Sequence, residues 1–142
     1  MNLNEIEHFD ILELIPQRAP FVMITKLMDV MEQSATSSFR ILEDNLFIKD
    51  GKFQESGLIE NIAQTAAAMS GYMAKISGKV AEKGFLGGLK NLRVYYLPDV
   101  DTNLATEVTL ENQVMNVNLI KGVIRQGDKL VAECEMKVFL ID

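Results

Sequence analysis

The sequence predicts an α+β fold in which one antiparallel sheet curls around a single long apolar helix, with a second chain closing the open side. Three observations carry this expectation. The stretch FQESGLIENIAQTAAAMSGYMAKISG, residues 53–78, contains no Pro and is apolar or small on nearly every face, as a helix buried in protein or membrane must be. Glu60, Asn61, Gln64, Thr65, Ser70 and Lys75 interrupt it too often for a membrane span. Strand-like segments lie on both sides of it, and one sheet covers such a helix only by curling around it or by pairing with a twin.

The elements follow in order. Residues 4–14 predict a short helix with Ile6, Phe9, Ile11, Leu12 and Leu14 on its apolar side, stopped by Pro16. Residues 21–30 and 34–42 are rich in apolar, Thr and Ser residues and predict two strands. Residues 45–57 form a loop centred on Asp50-Gly51. The long helix can start with Ser56 as its N-cap, and Gly78 suits its C-terminus. Residues 85–96, 104–111, 114–125 and 129–140 then predict four strands in an antiparallel meander. In the last of them Ala132, Cys134, Met136 and Val138 alternate with Glu133, Glu135 and Lys137, the pattern of a half-buried strand. Cys134 therefore falls on the core side, as a structural thiol. Gln126-Gly127-Asp128 makes a tight hairpin before it.

The 142 residues predict one domain over residues 1–142, large enough for a substantial core. A formal charge of −6 argues against nucleic acid, whose phosphates need a basic face. The lone cysteine excludes an internal disulfide and fits a reducing compartment. The N-terminus, MNLNEIEHFDILELIP, has neither the basic start nor the apolar run of a signal peptide, so the expected location is cytoplasmic, with no membrane partner. Nothing in the sequence calls for a metal or a cofactor.

Three segments resemble, in order, the hotdog-fold 3-hydroxyacyl-[acyl carrier protein] dehydratases. ILELIPQRAPFVMI is similar to that family's opening L-P-H-R-x-P-F, with Pro16, Arg18, Pro20 and Phe21 in place. GLIENIAQTAAA resembles its central-helix pattern G-x-L-x-x-E-A-x-A-Q, so that Glu60, Ala63 and Gln64 fall on its E, A and Q. FLGGLKNLRVYYLPD resembles the following strand, which lines the acyl tunnel. The resemblance spans residues 11–140 and implies a hotdog fold, a dimer and an acyl thioester carried on acyl carrier protein or coenzyme A.

In that family a His from a G-H-F-P-G loop removes the proton beside the thioester carbonyl, and the helix Glu protonates the departing hydroxyl. Here residues 47–57 replace that loop without a His, and Gln17 stands where the opening motif has another. The only histidine, His8, matches neither. Glu60 is the candidate acid, since desolvation on an apolar helix suits a carboxylate to proton donation. Gln64 is its neighbour at i,i+4. Asp50 and Glu55 are loop carboxylates expected in solvent. By resemblance Phe53, Gly57, Gln64, Phe85, Gly87 and Gly88 are the substrate-binding candidates. Arg18 is expected to tie its loop to nearby carbonyls, and Lys75, Lys79 and Lys83 form a basic cluster that could meet an acidic carrier protein.

Three functions stay open at this point: a dehydratase of fatty-acid or polyene-lipid type synthesis whose base is unidentified, a non-catalytic acyl-binding or partner subunit of a mixed hotdog dimer, and an acyl thioesterase whose carboxylate activates water. As a homodimer or in a mixed dimer, the chain would keep Glu60 at the centre of each.

Overall fold

The computed structural model describes residue 6 and residues 8–141. Residues 4, 5 and 7 of the expected N-terminal helix lie outside the described residues, and of its remainder only the 3-10 turn Ile11–Glu13 is a named element. Asp10 caps that turn: its carboxylate accepts from the Leu12 N–H at 2.9 Å, while Glu13 accepts from the Asp10 N–H at 2.9 Å. This reciprocal capping box satisfies donors that a short turn cannot satisfy alone.

The long helix α1, Glu55–Ile76, starts slightly earlier than Ser56 would place it. Its N-cap is Gln54, whose side chain gives the helix no cap bond because its amide donates instead to the carbonyls of Lys49 and Lys52, at 3.2 and 3.0 Å. The preceding loop thus runs straight into the first turn. At the other end Gly78 donates to Lys75 O at 3.3 Å and Lys79 to Ala74 O at 2.9 Å, the paired bonds by which a residue in the left-handed region closes a helix. Gly78 has φ 67°.

Among the described residues there are eight strands: β1 Lys26–Val30, β2 Ser34–Arg40, β3 Ile48–Lys49, β4 Lys52–Phe53, β5 Lys83–Val94, β6 Asn103–Val114, β7 Val117–Gln126 and β8 Lys129–Ile141. Six of them form one antiparallel sheet in the order β1-β2-β6-β7-β8-β5. Three expectations are corrected. The expected loop over 45–57 contains the small hairpin β3–β4, turned at Asp50-Gly51. The expected strand over 21–30 begins only at Lys26, because residues 21–23 spend their backbone groups on the helix. The meander holds for β6, β7 and β8, whereas β5 lies beyond β8 as an edge strand: β6 has β2 on one side and β7 on the other.

The inner face of the sheet packs on α1. Leu104, Thr106 and Val108 of β6, Ile120 and Ile124 of β7, and Ala132, Cys134 and Met136 of β8 are buried there. The helix sits directly on the β7 backbone, for a Cβ at Gly122 would lie 2.3 Å from Ile62 Cγ2. The N-terminal segment crosses the opposite side of α1 just as closely, and a Cβ at Gly71 would fall 2.0 Å from the Leu14 carbonyl oxygen. One side of the helix, bearing Ile59, Glu60, Ala63, Ala67, Ser70 and Met73, is only half-buried, so the sheet curls without closing.

Gly71→Ala puts a methyl group against a backbone oxygen that cannot rotate away. It is expected to destabilise the protein by about 1–3 kcal/mol or more, in the range of overpacked cores. Urea denaturation measures this, and an unchanged midpoint would show that the segment around Leu14 yields.

Candidate active site

The buried polar residues Asn61, Gln64 and Thr65 of α1 are engaged with specific partners. Asn61 is fully buried; its amide N–H donates to Met23 O at 2.7 Å and its oxygen accepts from the Thr106 hydroxyl at 2.5 Å. Thr65 donates to Asn61 O at 2.8 Å and therefore accepts from the Ser37 hydroxyl, 2.7 Å away. These bonds tie the helix to β2, to β6 and to the 21–23 segment. Burial without such partners would cost each group its hydration.

Gln64 is also fully buried. Its oxygen accepts from the Met23 N–H at 2.7 Å, and its NH₂ donates both to Phe21 O and to Glu60 Oε1, each at 2.8 Å. The amide is saturated and cannot flip without losing all three bonds, which fixes its donor side toward Glu60. Glu60 is half-buried, with one oxygen held by Gln64 and its side chain on the open side of the helix. The full desolvation expected for it needs a cover beyond this chain's own residues.

Of the other candidates, Phe53 and Gly57 lie at the entry to α1, with Gly57 three residues before Glu60, and Phe85, Gly87 and Gly88 lie on β5. Phe53 is buried in the core against Phe39, with ring centroids 5.4 Å apart, and a Cβ at Gly57 would lie 2.4 Å from the Phe53 ring. Together they seat the first turn of α1. The Phe53 N–H also donates to Pro98 O at 2.8 Å, and Lys52 pairs with Asp99, which fastens the β3–β4 hairpin to the segment after β5. Phe85 pairs with Phe139 across β5 and β8 on the outer face of the sheet, and that ring lies over Gly87, where a Cβ would meet it at 2.0 Å. Gly88 faces Lys137 on the same outer side. After a register shift between Leu86 and Gly88, Leu86 and Leu89 of β5 lie on the inner face, 47% and 38% exposed, while Leu92 and Val94 further along the strand pack against the core. The sequence alone did not single out Leu86 and Leu89.

A cavity of about 420 Å³ lies beside this stretch, lined chiefly by outer-face residues, among them Gly87, Gly88, Lys90, Leu119, Glu135 and Lys137; Glu60 is not part of it. Arg18 donates to the carbonyls of Leu12, Ile15 and Gln17 at 2.7–3.0 Å and so acts as the loop tie expected of it. The Gln17 side-chain oxygen is buried with no hydrogen-bond partner among the described residues. His8, Asp50, Glu55, Lys75, Lys79 and Lys83 are exposed. Among the described residues no group of three or more His, Cys, Asp or Glu could hold a metal ion, and no helix is long and apolar enough to cross a membrane.

A long helix wrapped by an antiparallel sheet, with a carboxylate presented on the helix's open side, defines a hotdog-fold protein. The chain belongs to the ApeP-like family, described as ApeP dehydratase, whose pattern matches residues 9–142. It is 27% identical over 142 residues to a 3-hydroxyacyl-[acyl-carrier-protein] dehydratase FabZ of Clostridium botulinum, covering 96% of this chain and 93% of the relative. Its fold is similar to a chain of the dehydratase heterocomplex ApeI:P from Xenorhabdus doucetiae, with a TM-score of 0.87 at 18% identity over 94% and 92% of the two chains. A hypothetical thioesterase protein with coenzyme A from Streptococcus pneumoniae shares the fold at a TM-score of 0.66 and 9% identity, over 81% and 86% of the chains.

Two outcomes are expected from this geometry. Asn61→Ala strands the Met23 carbonyl and the Thr106 hydroxyl in the core, at about 1–3 kcal/mol for each group left unsatisfied; chemical denaturation gives the loss, and a value near zero would mean that water replaces the amide. The Cys134 thiol is pushed up to about 11, by burial first and then by the Glu135 charge. It should resist thiol reagents at pH 8 in the native protein and react once the chain is unfolded. Its folded-state value is raised, so its contribution to stability is complete below the ordinary thiol range near 8.5 and is lost as pH rises toward about 11.

Proposed function

We propose that the chain acts on 3-hydroxyacyl thioesters carried on acyl carrier protein or coenzyme A, as one half of a hotdog dimer that catalyses dehydration in fatty-acid or polyene-lipid type synthesis. The observation that carries this reading is Glu60, held by Gln64 on the open side of α1, while its second oxygen accepts no hydrogen bond among the described residues and would be available to a substrate. A base from the second chain takes the proton from C2, the electron pair forms the C2–C3 double bond, the C3–O bond breaks, and Glu60 protonates the departing hydroxyl, so that water leaves.

The second chain is part of the proposal for two reasons. The β5 strand is an edge of 12 residues carrying exposed Phe85, Leu86 and Leu89, a template for pairing that a monomer would blunt. The chain's one histidine lies outside its helix and loop motifs, so a base of suitable pKa is best supplied in trans. The likeness to a chain of the ApeI:P heterocomplex favours a mixed dimer over a homodimer. In that dimer the open side of α1 and the inner residues Leu86 and Leu89 would bound the acyl channel. Phe53 and Gly57 serve it by seating the helix, and Phe85, Gly87 and Gly88 by shaping the paired edge. The exposed Lys75, Lys79 and Lys83 give an acidic carrier protein a place to dock. A second reading, thioester hydrolysis with Glu60 activating water, uses the same carboxylate.

The test is enoyl-thioester formation by the purified chain with and without a histidine-bearing hotdog partner. The lone chain is expected to be slower by about 10²–10⁴, the usual contribution of general-base assistance. The partner restores the rate, and Glu60→Gln removes that gain while the melting temperature stays within a degree or two of wild type. Full activity of the lone chain would overturn the role given to the partner. Release of free thiol without alkene would replace dehydration by hydrolysis.

A further inference from the structure

Phe21 combines two properties that rarely occur together. The residue is 55% exposed, yet its backbone is hydrogen-bonded at both its N–H and its carbonyl. The Phe21 N–H donates to Arg18 O at 2.9 Å, and the Phe21 carbonyl accepts from Gln64 at 2.8 Å. Two residues further on, Gln64 and Asn61 hold both backbone groups of Met23. Arg18 in turn is fixed by three carbonyls. An aromatic ring therefore projects to solvent from a rigid mount.

That mount adjoins the carboxylate. One NH₂ group of Gln64 serves both Phe21 O and Glu60 Oε1, so any movement of Phe21 is felt at Glu60. The aromatic contacts within the core join Phe9 to Tyr72 and Phe39 to Phe53, and neither involves Phe21. A large apolar surface held rigidly in water has been left for something else to cover, and it loses little conformational freedom when covered.

We propose that the Phe21 ring is a substrate-positioning contact, packing on the acyl chain next to the thioester and holding the C3 hydroxyl against Glu60. This rests on the acyl-thioester reading above and adds to it the residue that registers the chain. The ring favours substrates with an extended apolar chain over those that end at the thioester.

The test titrates octanoyl-pantetheine and acetyl-pantetheine, which lack a 3-hydroxyl and are not dehydrated, into the complex of this chain with its hotdog partner. Phe21→Ala is expected to weaken octanoyl binding about five- to twentyfold, the effect of returning a ring's contact area to water, while Phe21→Leu keeps most of it. Acetyl-pantetheine affinity, melting temperature and sedimentation should be unchanged. With the 3-hydroxyoctanoyl thioester, Phe21→Ala should raise KM and lower kcat together. Equal octanoyl affinity in wild type and Phe21→Ala overturns the inference alone. Dissociation of the complex by Phe21→Ala also overturns it, because the ring would then belong to the subunit contact. Failure of wild type to bind octanoyl-pantetheine overturns the acyl-thioester reading, and this inference with it.

Discussion

The structure depends on a pair of buried amides. Asn61 and Gln64 reach from α1 to the backbone of residues 21–23 and occupy groups that would otherwise be used by a neighbouring strand. The two bonds to Met23 are buried, so breaking one leaves a polar group stranded at a cost larger than the net gain of making it. That asymmetry makes the contact a constraint on geometry as much as a source of stability. It brings the opening segment across the helix, stops the first strand short of residue 25, and turns the Gln64 donor toward Glu60.

Around this clamp the division of labour within α1 becomes intelligible. Ile62, Ala66, Ala68, Met69 and Tyr72 supply apolar burial, while Asn61, Gln64 and Thr65 fix how the helix sits on the sheet. Burial is non-directional and would allow the helix to slide or rotate. Directional bonds to Ser37 of β2 and Thr106 of β6 do not. Glu60 differs from its buried polar neighbours in being only half-buried, with Gln64 as its hydrogen-bond partner among the described residues.

The segments shared with the dehydratases acquire physical reasons on the same basis. Arg18 gathers three carbonyls of a loop that has few other bonds. Ala63 and Ala67 keep the open side of the helix low beside Glu60. Gly87 and Gly88 of β5 serve the outer face, where Gly87 lies beneath the Phe139 ring, rather than the inner one. Leu86, Leu89 and Val94 are side chains that β5 presents on the inner face. The chain thus builds the fold and positions the carboxylate, which it leaves half-buried.

Much of this was legible in the sequence because it is encoded locally. The apolar stretch gave the helix, alternation in residues 129–140 placed Cys134 inside, and a spacing of four put Gln64 beside Glu60. What local pattern could not give was decided by contacts between distant parts of the chain. Strand order is one case: nothing near β5 says that β8 rather than β6 will be its neighbour. The side faced by Phe85 is another, since a register shift at Leu86–Gly88 changes the alternation on which such a reading relies. The loss of strand over residues 21–25 is a third, because the competitor for those backbone groups lies about 40 residues away. The sequence by itself determined the long helix, the core side of residues 129–140 and which carboxylate would stand out on the helix. Only the tertiary structure decided what each buried polar group binds, because a hydrogen bond needs a partner in one place and direction, whereas burial needs only apolar company.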